Sequence, residues 1–181
     1  MDNDKNRTLY KIIAIASLFI IAVTVSYGIV ASIIQGVEVV GQTFVEVEFP
    51  PIHVFPFFYA KPISWLFLAI VLQVFSVLEL YREKLAQISR FKINLLKVTL
   101  FIIISLSLYE VLFNFTLWSG LMSADALLGK LNPDVIINPF PNPEIPWNIV
   151  FAPKLYLSGL ITSGYFFYFL SKMDLKANTS P

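Results

Sequence analysis

The chain has 181 residues, of which 57% are hydrophobic and 14% are charged, and its net charge is +1. Soluble domains contain about 25% charged and about 45–50% apolar residues, so a core of this size cannot hide the apolar surplus from water, and we expect lipid to be the solvent. The small net charge gives no support for nucleic-acid binding, while zero cysteines and one histidine exclude disulfides, thiol chemistry and a multi-histidine metal or haem site built by this chain alone.

Four segments are predicted to cross a membrane. A membrane-spanning helix needs about 20 mostly apolar residues to cross about 30 Å of hydrocarbon. The predicted spans are 12–34, 63–81, 98–118 and 155–171. The second span is charged only at Glu79 and the third only at Glu110, while the other two carry no charge. The apolar run of the first span is longer than the core of a signal peptide, so we interpret this span as a retained helix.

The distribution of lysine and arginine predicts the orientation of the spans. Ten of the 13 lie in the N-terminal tail, in the connection between the second and third spans, or in the C-terminal tail. Because such residues are enriched on the cytoplasmic side, we expect both termini in the cytoplasm and two long outer loops, 35–62 and 119–154, on the opposite side. The predicted fold is a single all-α domain over residues 1–181. We expect it to be an up-down bundle of four transmembrane helices in a prokaryotic plasma membrane.

The first outer loop contains the only histidine. Glu46 and Glu48 alternate there with apolar residues, and Gly41 suits the turn of a small β-hairpin. We read the following segment, which includes His53, as extended chain at the outer interface. We favour a His53 side chain that is hydrogen-bonded to backbone or water. The alternative is a metal or proton site that His53 shares with Glu46, Glu48 and a partner protein.

The second outer loop is rich in proline. Five prolines between Pro133 and Pro146 favour an extended, polyproline-like backbone, yet apolar residues stand between them. The segment is too apolar for a free linker. Two interpretations stay open: it folds back over the protein's own outer surface, or it docks onto a partner.

A glutamate in the middle of the third span needs a solvating partner. On a helix that advances 100° per residue, Thr99, Glu110, Asn114 and Ser107 fall within roughly 80° of one another and form one polar stripe. Residues at a similar depth on the other spans complete the predicted intramembrane polar cluster, which comprises Glu110, Asn114, Ser107, Gln73, Thr24 and Thr162. The cluster acts either as polar glue between helices or as a proton or ion site centred on Glu110.

Two further patterns concern the second and fourth spans. Glu79 lies three residues before Arg82, which predicts an i,i+3 ion pair at the membrane surface. In the fourth span, Gly159 and Ser163 have the small-xxx-small spacing that allows close helix packing. The bulky aromatic run after Gly164 is expected to contact lipid or another subunit.

These features predict a non-catalytic, accessory subunit of a larger integral-membrane complex, such as an oxidase, a monooxygenase or a respiratory assembly. It would pack through its helix faces and proline-rich outer loops. The expected partners are other integral-membrane subunits and the lipid bilayer, with no nucleic acid and no cofactor. The alternative is a small oligomeric transporter or channel that uses Glu110 as a proton or ion site, and a third class is a membrane enzyme with a metal at His53. No nucleotide-binding or metalloprotease motif is present.

Overall fold

The computed structural model describes residues 2–36, 53–55, 58–59, 61–129 and 152–179, which are mostly α-helical. The elements are α1 (Asp2–Gln35), β1 (His53–Phe55), β2 (Phe58–Tyr59), α2 (Pro62–Leu80), α3 (Arg82–Ala86), α4 (Arg90–Leu127) and α5 (Ala152–Thr179). The two short strands pair in antiparallel fashion, with His53 opposite Tyr59. The predicted hairpin around Gly41 and the proline-rich segment after Pro133 lie outside the described residues.

Local chemistry explains where the helices begin and end. α2 begins at Pro62, where the missing N–H costs nothing because the first helical N–H groups have no partner within the helix. α1 and α4 are followed by glycines in the left-handed region, Gly36 with φ 101° and Gly129 with φ 65°. Their N–H groups bond back to the carbonyl oxygens of Ser32 and Ala126, both at 3.1 Å. Glycine adopts this conformation without the steric penalty of a Cβ.

Three of the helices in the described part of the chain are long and apolar enough to cross a membrane, and they indicate an integral membrane protein. They run over Asn6–Ile34, Pro62–Leu80 and Arg90–Gly120. Only 17%, 28% and 11% of the residues in their most apolar windows are buried within the chain. α5 is not among them, because tyrosine, serine and glycine dilute its apolar residues. The fourth predicted span, 155–171, therefore stays a prediction.

The long helices pack side by side in the order α1, α2, α5, α4. Extensive contacts join α1 to α2, α2 to α5, and α5 to α4. A closed four-helix bundle would also pack α1 along α4, and the described residues show no such extensive contact. The helices therefore form an open row, which differs from the predicted bundle. In the row, α1 and α4 each have one long helix as neighbour.

Side-chain contacts define the helix directions in the row. Residues at the start of α5 lie near the start of α2, because Lys154 Nζ donates to Ser64 Oγ at 3.3 Å. Residues towards the end of α5 lie near the end of α2, since Tyr165 Oη donates to Glu79 Oε1 at 3.0 Å. α2 and α5 are therefore parallel. Two apolar clusters support the outer pairs: Ile63 and Leu66 with Ile21 of α1, and Ile93 and Leu100 of α4 with Leu170 of α5.

Candidate functional site

One polar contact joins α1 to α2 inside the apolar region. Ser17 is 2% exposed, and its Oγ lies 2.6 Å from Gln73 Oε1 and 2.7 Å from the carbonyl oxygen of Ile13. A hydroxyl has one proton and can donate to only one of these oxygens. The 2.6 Å distance is typical of an O–H···O bond and is shorter than an N–H···O bond, so Ser17 donates to Gln73 Oε1 and links α1 to α2. Gln73 thus meets a partner that the sequence analysis did not identify.

Small residues line the face of α1 that carries this contact. Ser17, Thr24, Gly28 and Ala31 are all buried, and their spacing of seven, four and three residues places them on one side of the helix. Thr24 Oγ1 donates to the carbonyl oxygen of Ile20 at 2.7 Å, so its hydroxyl is satisfied within its own helix. Thr24 therefore contributes to close packing instead of a bond between helices. This spacing was the available signal for Ser17.

A second seam of small residues joins α4 to α5. Ser107, Ser158 and Ser163 are buried. A Cβ atom built on Gly159 would lie 3.2 Å from Ser107 Oγ, which is closer than ordinary van der Waals contact. The absence of a side chain at Gly159 thus lets the two helices approach closely. Thr162 lies on α5 but donates to the carbonyl oxygen of Ser158 at 2.7 Å, within its own helix.

Glu110 lies on α4 and has one side-chain partner among the described residues. Asn114 is buried, and its Nδ2 donates to the Glu110 carbonyl oxygen at 2.7 Å and to the carboxyl Oε2 at 3.4 Å. The second distance is longer than the usual 2.7–3.2 Å, so this hydrogen bond is weak. Thr99, the fourth member of the predicted stripe, is exposed. The polar stripe thus becomes buried only from Ser107 onwards.

The six residues of the predicted cluster belong to two different seams. Gln73 and Thr24 lie on the α1–α2 pair, whereas Glu110, Asn114, Ser107 and Thr162 lie on the α4–α5 pair. In the described part of the chain, no hydrogen bond connects one group with the other. α1 and α4 are three helix steps apart in the row, with α2 and α5 between them. A similar depth along the helices therefore does not bring Thr24 close to Glu110.

The end of the row that carries Arg82, here called the Arg82 end, contains a network that links α2 to α5. Arg82 Nη2 lies 2.7 Å from Glu79 Oε1, which confirms the predicted i,i+3 pair, and the Glu79 side chain is only 12% exposed. Tyr165 Oη donates to the same carboxyl oxygen. The Arg82 guanidinium also lies over the ring of Phe169, 5.1 Å from its centre. Tyr165 thus contacts α2 and Phe169 contacts the start of α3, although the sequence predicted lipid or another subunit there.

An aromatic stack extends the network to α1. The ring centres of Tyr10 and Phe75 are 5.9 Å apart, and those of Phe75 and Tyr165 are 5.1 Å apart. Both distances are in the favourable range for aromatic pairs. Beside this stack, a cavity of about 300 Å³ lies between the N-terminal part of α1 and the junction of α2 with α3. Its lining residues are Asn6, Arg7, Tyr10, Glu79, Leu80, Arg82 and Glu83.

The opposite end of the α2–α5 pair carries lysines. Lys154 precedes the predicted fourth span and donates to Ser64 on α2. Burial lowers the pKa of the Lys154 ammonium, and the neighbouring charge of Lys61 lowers it further. The folded chain therefore binds the Lys154 proton less tightly than the unfolded chain.

The possible metal site at His53 is described only in part. The structure describes the backbone of His53 in β1, while Glu46 and Glu48 lie outside the described residues. Within the described ranges, no three residues of the types His, Cys, Asp and Glu converge on a point. The interpretation of His53 as an interfacial residue or as a shared metal ligand therefore stays open.

Alanine substitutions of two α5 glycines test the α4–α5 seam. A Cβ on Gly164 meets no atom within 4 Å, so Gly164→Ala should gain up to about 1 kcal/mol from helix propensity. Gly159→Ala should be less stable than Gly164→Ala by about 1 kcal/mol, because its Cβ crowds Ser107. Unfolding of the full chain in mixed micelles measures both. Ser107→Ala combined with Gly159→Ala should recover the loss, and equal stability of the two glycine variants would contradict the close approach.

Substitution of Lys154 tests its burial. Because the pKa is lowered in the folded state, the wild type gains stability as the pH rises from the lowered pKa to the ordinary value near 10.5. Lys154→Gln lacks this gain and should be more stable than the wild type at pH 7. The difference should shrink towards pH 10.5, as measured by thermal unfolding in detergent. The control is Lys92→Gln, which removes an exposed lysine from α4. A difference that does not change with pH would argue against the burial of a charged Lys154.

No protein-family model matches the sequence, and no curated protein and no solved structure is similar to it. The chain's own contacts, burial and charges are therefore the basis for assigning a function.

Proposed function

We propose that the chain is a non-catalytic subunit of a larger integral-membrane complex and that α4 is its main contact with a partner. The observation that carries the proposal is the environment of Glu110. Its carboxyl group lies within a candidate membrane span, and its only described side-chain partner is a weak hydrogen bond from its own helix. A carboxyl group at such a position needs donors that surround it.

Lipid alone does not supply these donors. Hydrocarbon covers exposed leucine, isoleucine and phenylalanine without cost, but it cannot donate a hydrogen bond to a carboxyl group. Among the described helices, α4 packs extensively against one long neighbour, and only 11% of its most apolar window is buried in the chain. Much of the α4 surface is therefore free to receive another transmembrane helix. A partner helix with hydrogen-bond donors at the level of Glu110 would satisfy the carboxyl group.

The proposed topology has four spans with both termini in the cytoplasm. Ten lysines and arginines at one end of the predicted spans support this orientation. The described contacts are compatible with it, because Arg7 near the start of α1 and Phe169 in α5 both lie near the α2–α3 junction. The proline-rich outer loop 119–154 would then face the opposite side, where it is available to a partner. A non-catalytic role fits a chain with one histidine and no cysteine.

A second candidate is a small oligomeric transporter or channel with Glu110 as its proton or ion site. The burial of Asn114 beside a carboxyl group inside an apolar span favours this candidate. In this case the partner that covers α4 is another copy of the same chain, and the carboxyl groups lie in a polar path between the copies.

Native mass measurement tests the subunit proposal. After extraction in a mild detergent, the chain should migrate with other membrane proteins, which are identified by mass spectrometry. A stable monomer would contradict the proposal, because Glu110 would then have no donor from outside the chain. A complex made only of copies of this chain would favour the transporter or channel. The chain should carry an affinity tag that does not alter its spans.

Substitutions of Glu110 separate polar glue from a proton site. Glu110→Gln keeps the hydrogen-bonding capacity and should leave the recovery of partner subunits unchanged. Glu110→Leu should lower this recovery about fivefold, since a hydrogen bond between helices in a membrane is worth about 1 kcal/mol. Gln73→Leu is the control, because Gln73 has its partner Ser17 within the chain.

The outcome with Glu110→Gln decides between the two candidates. A proton site loses function when its carboxyl group becomes an amide, so loss of proton or ion flux with retained assembly would refute the purely structural role. If the assembly with Glu110→Gln keeps its activity, the result supports the purely structural role of Glu110. Recovery of all partner subunits by Glu110→Leu would show that α4 is not the contact proposed here.

A further inference from the structure

The cavity at the Arg82 end lies at the level of the membrane surface. Its α1 residues, Asn6 and Arg7, stand at the beginning of one candidate span, and Leu80 is the last residue of another. Ends of transmembrane helices with arginine and tyrosine are found at the level of lipid headgroups. The cavity has a volume of about 300 Å³, which is large enough for a small polar group.

Two arginines line this cavity and have guanidinium donors that no described side chain uses. Arg82 uses Nη2 for Glu79, but its side chain is 53% exposed and its other N–H groups remain available. Arg7 is exposed and has no hydrogen bond or ion pair with another described side chain. Tyr10 adds a hydroxyl group to the lining. Planar guanidinium groups bind phosphate oxygens well, because two parallel N–H groups match two oxygens.

The two glutamates of the lining restrict the kind of phosphate ligand. Glu79 already accepts hydrogen bonds from Arg82 and Tyr165. Glu83 is exposed and has no hydrogen bond or ion pair with another described side chain. Two arginines and two glutamates give the lining a formal charge of zero. A neutral ligand that carries both a phosphate and a cation therefore matches the lining better than an anion does.

We propose that this cavity binds the headgroup of a phospholipid that carries a phosphate and a primary ammonium, as in phosphoethanolamine, with the phosphate on Arg7 and Arg82 and the ammonium on Glu83. The ammonium has three N–H donors for the Glu83 carboxylate, whereas a trimethylated choline group has none. An anionic headgroup leaves Glu83 without a cation and repels it. The apolar spans on both sides of the cavity receive the acyl chains.

The test is a lipid titration of the purified full-length chain in mild detergent. Native mass spectrometry counts bound phosphatidylethanolamine, phosphatidylcholine and phosphatidylglycerol with identical acyl chains. The wild type should bind phosphatidylethanolamine about tenfold more tightly than the other two lipids. Equal binding of all three would overturn the proposal.

Two variants test which residues contact the phosphate and the ammonium of the headgroup, and a third variant is the control. Arg7→Gln should weaken the binding of all three lipids about tenfold, because each lipid carries the phosphate that accepts a charge-assisted hydrogen bond from this guanidinium. Glu83→Gln should weaken the binding of phosphatidylethanolamine about tenfold and leave the binding of the other two lipids unchanged. Lys11→Gln is the control, since Lys11 is an exposed lysine on α1 outside the lining.

Other results with these variants would refute the assignment. If Arg7→Gln binds phosphatidylethanolamine as tightly as the wild type does, Arg7 does not contact the phosphate. If Glu83→Gln weakens the binding of all three lipids equally, Glu83 does not contact the ammonium. A loss caused by Lys11→Gln as large as that caused by Arg7→Gln would show a nonspecific attraction to positive charge. Arg7 and Glu83 are both exposed, so their substitution leaves the helix contacts intact.

Discussion

The contact between α2 and α5 holds the two halves of the chain together. α1 packs on α2, and α4 packs on α5. Both pairs are antiparallel, because Tyr10 near the start of α1 contacts Phe75 near the end of α2, and Ile93 near the start of α4 packs with Leu170 in the second half of α5. Between helices in lipid there is no hydrophobic driving force of the kind that acts in water, because the lipid chains are as apolar as the side chains. Close packing and polar contacts therefore have to set the register. Tyr165 with Glu79 does so towards one end of the α2–α5 pair, and Lys154 with Ser64 does so at the other.

This register also positions the surface cavity. The Glu79 carboxylate accepts hydrogen bonds from Tyr165 of α5 and from Arg82. The Arg82 guanidinium also stacks on the ring of Phe169. The aromatic stack through Phe75 places Tyr10, and with it the N-terminal part of α1, beside the same carboxylate. Residues from four helices, α1, α2, α3 and α5, thus converge at the Arg82 end.

The open row has a functional consequence for its two outer helices. Within each half, small residues such as Gly159 and Ser17 let the helices approach closely, and the opposite faces remain apolar and exposed. Lipid can cover these faces almost everywhere. Glu110 lies at the α4–α5 seam but is only partly buried, and its carboxyl group needs a donor that lipid lacks, which is why α4 is the helix on which the proposed partner acts. The same helix face serves either a different subunit or another copy of the chain.

The sequence by itself determined the features that depend on local order along the chain. Runs of apolar residues predicted the three helices that are long and apolar enough to cross a membrane. α4 nevertheless begins at Arg90 and ends at Leu127, well beyond the predicted 98–118, because a helix continues into its polar flanks while hydropathy reports only the apolar part. The pair of Glu79 and Arg82 was predictable because an i,i+3 spacing brings two side chains together on any helix. The tertiary structure alone decided the lateral order of the helices. Depth along a helix places Thr24 and Glu110 at a similar level, but packing puts two helices, α2 and α5, between them and brings Tyr165 to Glu79. Neighbours across helices depend on rotation and register, which no single helix contains.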